Sequence, residues 1–224
     1  MLADFRTLVD DLVRDRDQVI SSTQRDSAID QAVQRYSGDR PRPVVVDATV
    51  AAGPGLDLPA GWQSDFSTIV SVEYPIGSRP PVFLEAADLR LYESPLSVQI
   101  QLPDDVNVGD SARLTYTQRH AVDDSTDTVP LQHRLAVSYL AAAILSGQLA
   151  NYYATSGEPT IAADAVDHHS KSDKFRARER DFRARYLAEL GVADKRSGAA
   201  GVQVDWDGKD SRGNDRLFHR RRYR

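Results

Sequence analysis

The spacing of hydrophobic positions changes period twice along this chain. At the start it is helical: Leu2, Phe5, Leu8, Val9 and Leu12 predict a helix over 2–13. Arg14-Asp-Arg-Asp17 is a polar break. Ser21, Ser22 or Thr23 can cap a second helix running to about Tyr36, with Ala28, Ile29, Ala32, Val33 and Tyr36 on its apolar stripe. Gly38 suits a left-handed helix end, and Pro41 and Pro43 forbid continuation.

From residue 44 the period becomes two. Val44, Val46, Ala48 and Val50 alternate with Val45, Asp47 and Thr49, and Phe66, Thr68, Val70, Val72 and Tyr74 are expected on one face of a second strand. Leu96, Val98, Ile100 and Leu102 alternate with Ser97, Gln99 and Gln101. Arg113–Arg119 reads as another strand with Leu114 and Tyr116 inward, and a shorter one covers Asp88–Tyr92. Turns are predicted at Gly53-Pro-Gly55, Gly77-Ser-Arg-Pro-Pro81, Pro103-Asp-Asp105 and Val108-Gly-Asp110. Short strands between such turns predict a small antiparallel sandwich or barrel.

Helical spacing returns after Pro130, which suits a first helical turn. Leu135–Ala154 carries no charge, and His168–Leu190 is dense in charge but keeps Phe175, Phe182, Tyr186 and Leu190 on one face, with Gly191 as its end. A helix uncharged all round must be covered on most of its surface, and one partner helix cannot do that. Residues 2–36 and the second helix supply part of the cover. The rest, Ala142, Ala143, Ser146 and Gly147 together with Phe175, Phe182 and Tyr186, is assigned to packing between subunits, so Ala143→Arg is expected to block assembly more than folding. The predicted fold class is α+β: a four-helix bundle (1–42 and 129–191) with an inserted small antiparallel β-sandwich/barrel module (43–128) and an extended C-terminal arm (192–224).

Composition narrows the chemistry. Absence of cysteine rules out disulfides, thiolate metal sites and a cysteine nucleophile. A net charge of -5 argues against general nucleic-acid binding by the whole chain. Residues 44–130 hold thirteen Asp and Glu against Arg79, Arg90, Arg113 and Arg119, so the β module is acidic. The N-terminus has acid where a signal peptide has base and lacks an apolar segment. Leu135–Ala154 is long enough for a bilayer but is diluted by Ser138, Ser146, Gly147, Gln148 and Asn151, so no membrane span is expected.

Catalytic patterns are missing. His168 and His169, near Asp164 and Asp167, point about 100° apart on a helix and cannot share one ion. Asp205-Trp-Asp-Gly-Lys-Asp210 mimics a calcium loop, but Lys209 stands where a ligand is needed and Gly208 comes early. Ser170 beside His169 lacks an orienting third group. The acid pairs Asp104-Asp105 and Asp123-Asp124 lie in turns. No enzyme activity, metal or cofactor is expected. The strongest local signal is the C-terminal cluster, in which Arg216, Leu217, Phe218, Arg220, Arg221, Arg222, Tyr223 and Arg224 follow an isolated Trp206. Such a segment can bind phosphates and stack on bases, or dock on an acidic protein surface with its aromatics as anchors.

Three stretches carry a resemblance. They are Thr23–Pro41, Gln148-Leu-Ala-Asn-Tyr-Tyr-Ala154, and Thr160–Leu187 with its Asp167-His-His-Ser-Lys-Ser-Asp-Lys-Phe175 core. Together they resemble tailed-bacteriophage head-to-tail connector proteins, the adaptor or head-completion class, over residues 2–191. The resemblance implies a structural virion protein at the head–tail interface, assembled in the host cytoplasm. It implies a homo-oligomeric ring, expected to be twelve-fold, beneath the portal protein. The C-terminal arm would meet the portal, the β module would meet tail proteins, and packaged DNA would pass through the channel. It carries no catalytic residues. A nucleic-acid-binding protein using the basic tail, and a tail-completion or terminator protein, are the alternative readings.

Overall fold

A computed structural model describes residues 1–51, 55–94, 97–155 and 168–191, with backbone alone for 168–170. The chain is mixed α+β. Two helices come first, α1 (Leu2–Val13) and α2 (Ser22–Asp39). Six strands follow: β1 (Arg42–Ala51), β2 (Gly55–Asp57), β3 (Ile69–Glu73), β4 (Arg90–Glu93), β5 (Val98–Gln101) and β6 (Ser111–Gln118). A short 3₁₀ turn (Leu131–His133) leads into α3 (Arg134–Thr155), and α4 (His168–Leu190) ends the described chain.

Local chemistry sets the ends of α2. Of the three candidate caps the chain uses Ser21. Its hydroxyl accepts from the Gln24 amide at 3.2 Å, while the Gln24 side chain accepts from the Ser21 amide at 2.8 Å. At the other end Gly38 is not the cap. The helix runs through it to Asp39 and stops at Arg40 (φ -141°), because the residue before Pro41 is driven out of the helical region.

The strands form one antiparallel sheet in the order β3-β6-β1-β2-β5-β4. Arg42–Thr49 of β1 pair with β6, and Val50 and Ala51 pair with β2. One long strand therefore belongs to both halves, and the sheet curls into a half-barrel. This corrects the sandwich expectation: there is one curved layer, not two stacked ones. Val50, Leu56, Val72, Ile100, Ala112, Leu114 and Tyr116 are buried on its inner face, and Leu58, Trp62, Leu84 and Leu89 pack against them from the loops.

The face predicted for Phe66 to Tyr74 is also corrected. A bulge between Ile69 and Ser71 shifts the phase of β3, so Val70 points to solvent while Val72 is buried. The three-residue β2 was not foreseen, since three residues show no period. Gly53, Pro54 and Leu96 lie outside the described residues.

The four helices share one apolar core. It takes Phe5, Val9 and Val13 from α1, Ala28, Ile29, Ala32, Val33 and Tyr36 from α2, residues on nearly every side of α3 such as Ala136, Val137, Leu140, Ala142, Ala143 and Leu145, and Phe182, Tyr186 and Leu190 from α4. Here the expected seam between subunits is corrected. Ala142 and Ala143 have no exposed surface, and Ser146, Phe182 and Tyr186 are buried as well, all within one chain. The small side chains are used internally, letting α1, α2 and α4 close on α3 together. At Gly147 even a methyl group would sit 3.2 Å from the Glu179 carboxylate of α4. Only Gly147 and Phe175 of the seven remain half-buried. Among the described residues no helix is long and apolar enough to cross a membrane.

Helices and sheet meet at His120. Its amide donates to the Ser37 hydroxyl at 2.9 Å, and its ring lies 4.9 Å from that of Tyr36. Its two ring nitrogens face the carbonyl oxygens of Thr128 (2.9 Å) and Arg40 (3.1 Å). Burial holds the imidazole below its ordinary value of 6.5, partly offset by those two carbonyls. The unfolded chain therefore takes up the proton first as pH falls. Stability contributed by neutral His120 is complete above about pH 6.5, falls as pH drops below it, and levels off below the folded-state value. Denaturant midpoints measured from pH 8 to 5 are expected to decline in that window, and His120→Gln is expected to flatten the decline. The paired aspartates, held below the usual carboxylate range by arginines, act at lower pH: Asp26 by Arg6, Asp47 by Arg113.

Candidate binding surface at the distal end of the helices

Helix α2 separates two ends of the molecule. Its 18 residues at 1.5 Å each span about 27 Å. The half-barrel lies at its C-terminal end, where the Arg40 guanidinium also donates to the Leu190 carbonyl closing α4. At the far end lie the α1–α2 loop, the end of α3 and the start of α4.

The loop is tightly built. Arg14 and Gln18 both take left-handed conformations (φ 48° and 51°), which costs about 1–2 kcal/mol per non-glycine residue. Arg14 ends α1, its amide donating to the Asp10 carbonyl at 3.0 Å. Asp15 accepts from the Ile20 amide at 2.8 Å. Asp17 accepts from the Tyr153 hydroxyl at 2.5 Å and lies 3.5 Å from the Lys171 ammonium. Tyr153 and Lys171 together hold the Asp17 carboxyl below the usual range, the phenol contributing most. Burial first, then Asp17, pushes the Tyr153 phenol up to about 12. Lys171 also caps the Tyr153 ring at 4.9 Å, Phe175 stacks on that ring at 5.5 Å, and Tyr152 meets it edge-on at 5.3 Å.

Between this loop and α4 runs a groove of about 720 Å³ with Tyr153, Phe175 and Ala177 among its apolar lining. Arg14, Arg16, Lys171, Lys174 and Arg178 line it together with Asp15 and Asp17. Both carboxylates accept the internal bonds just described, and the cations in the lining outnumber them. Arg178 donates to the Val13 carbonyl at 3.4 Å, against the negative end of α1. Arg14, Arg16 and Lys174 have no ion pair among the described residues. A second groove of about 520 Å³ lies on the other side of the loop, lined by Asp10, Ser21, Ser22 and Arg25.

The half-barrel end has the opposite sign. Arg113 bridges Asp47 (2.7 Å) and Glu73 (3.5 Å), and Arg119 meets Asp65 at 2.7 Å. Glu85, Asp88, Glu93, Asp104 and Asp105 have no ion pair among the described residues. At its edge, β4 leaves Leu91 and Tyr92 more than half exposed.

No family model and no curated protein matches the chain. The sequence-derived arm, Trp206 and Arg216 to Arg224, lies outside the described residues, as do Asp164 and Asp167. Among the described residues no group of three histidines or carboxylates is placed to hold a metal. The distal groove escaped the sequence reading, which took Arg14-Asp-Arg-Asp17 as a break between helices. The signal was the alternation itself: two acids consumed as local acceptors leave their basic neighbours outward.

Proposed function

We propose that this chain is a structural connector subunit of a tailed-phage particle, a head-to-tail adaptor that assembles as a ring beneath the portal. In this reading the helices form a four-helix bundle, the half-barrel projects toward the tail, and residues 192–224 reach the portal as an arm. The observation that carries it is the resemblance of Thr23–Pro41, Gln148–Ala154 and Thr160–Leu187, joined to a two-ended architecture. A subunit placed between two different partners needs two chemically distinct surfaces. The basic distal groove and the acidic half-barrel, held apart by α2, meet that need.

Since Ala142, Ala143 and Ser146 are interior, lateral contacts in such a ring fall to surfaces that remain exposed. Gly147, Gln148, Asn151, Arg176 and Arg180 line a polar groove between α3 and α4 and are available for this. The test is co-assembly: purified protein mixed with portal rings is expected to give larger complexes by light scattering and an added ring by electron microscopy. Persistent monomer with no portal association would overturn the proposal. A tail-completion role on the same channel differs only in which neighbour is captured.

A second reading, a nucleic-acid-binding protein, draws on α4, where Lys174, Arg176 and Arg180 have no ion pair among the described residues. It predicts DNA affinity that falls steeply with salt.

A further inference from the structure

We infer that the groove between the Arg14–Gln18 loop and the first half of α4 is a docking site for an acidic segment of a partner protein, one with an apolar side chain between its carboxylates. The inference goes beyond the connector reading and stands without it, because it follows from the groove's own lining.

Three observations carry it. First, charge: Arg14 and Arg16 on the loop and Lys174 on α4 line the same groove, and none of the three is in an ion pair among the described residues. The two carboxylates in the lining already accept within the chain, Asp15 from the Ile20 amide and Asp17 from the Tyr153 hydroxyl with the Lys171 ammonium 3.5 Å away. Second, shape: the loop holds two residues at positive φ, a strained arrangement that persists only where its surroundings fix it, and it forms one wall of the groove. Third, the lining is mixed. Ala177 and the half-buried Phe175 offer apolar surface between the cationic walls.

The same lining selects against nucleic acid. Base stacking needs an open aromatic face. Tyr153 already has Phe175 stacked on its ring and the Lys171 ammonium over it. A phosphate backbone brings charge at every step and would meet Asp15 and Asp17, whereas a peptide can place its carboxylates opposite the cations alone. Complementarity of this kind sets specificity and the rate of encounter more than raw affinity.

The test uses the full chain and three probes: a ten-residue glutamate-rich peptide carrying two leucines, the same peptide with glutamine for glutamate, and a single-stranded ten-nucleotide DNA. Arg16 and Lys174 are exposed, so Arg16→Glu with Lys174→Glu leaves the core untouched, which a thermal melt verifies. By calorimetry the glutamate peptide is expected to bind saturably and the glutamine peptide not to bind. The double variant is expected to weaken binding roughly tenfold or more, and Arg176→Glu with Arg180→Glu, on another part of α4, to leave it unchanged. Absence of saturable binding by the glutamate peptide overturns the inference. So does equal loss in the Arg176/Arg180 variant, which would mark the affinity as unspecific charge. Tighter binding of the DNA, lost in the Arg16/Lys174 variant, overturns the choice of partner in favour of nucleic acid.

Discussion

Replacing Ala143 by arginine is expected to leave no folded protein. Ala143 has no exposed surface and sits in the middle of α3, covered from within its own chain. Arginine there must either carry its charge into an apolar interior with no acceptor or push neighbouring helices apart. Burying an unpaired charge and overpacking a tight core each belong to the small set of changes that cost more than about 4 kcal/mol. That is a large share of the roughly 5–15 kcal/mol that separates folded from unfolded states in typical domains. The sequence pattern alone led to the opposite expectation, a folded monomer unable to assemble. Far-ultraviolet dichroism and gel filtration of the variant decide between them: a cooperative melt and a monomeric peak would show that Ala143 faces a neighbour after all.

Tyr36→Ala is expected to cost about 3–5 kcal/mol, the range for deleting a buried aromatic ring. Tyr36 is almost fully buried on the last turns of α2. Its ring packs against His120 at the end of the sheet and against His133 before α3, and its hydroxyl lies 2.6 Å from the His133 Nδ1. The ring thus ties three segments far apart in sequence. Tyr36→Phe keeps the ring and removes only the hydroxyl bond, with an expected cost of about 0.5–1.5 kcal/mol. In a Trp206→Phe background, which leaves Trp62 as the one tryptophan, urea unfolding followed both by Trp62 fluorescence, which reports the half-barrel, and by far-ultraviolet dichroism, which reports the helices, distinguishes a shared loss from a local one. The two probes should remain coincident in Tyr36→Phe and separate in Tyr36→Ala. Equal midpoints for both variants would mean that the ring contributes nothing beyond its hydroxyl.

The helices were legible because their apolar positions keep one period over several turns. Phe5 and Val9 in α1, and Phe182, Tyr186 and Leu190 in α4, face the core as their spacing requires. β1 and β6 were legible for the same reason at period two. β3 was not, since one bulged residue inverts every later position, as Val70 and Val72 show. β2 escaped because three residues carry no pattern. The seam was misplaced for a different reason: small residues on a helix announce close approach but not whose surface approaches. Whether α1 and α2 both reach Ala142 and Ala143 depends on tertiary geometry that no window of sequence contains. The distal groove was hidden in the same way, assembled from Arg16 in one loop and Lys174 more than 150 positions later.

The passage from α2 to β1 takes only Arg40 and Pro41. A proline ring fixes one of the few torsions available there. The carbonyl of Arg40 is held by His120, and its guanidinium by the last carbonyl of α4. With so little slack, a twist applied to the half-barrel is expected to turn α2 about its own axis and to reach the Arg14–Gln18 loop as torque. The junction is built as a fixed elbow rather than a tether, so a load taken at one end should be felt at the other.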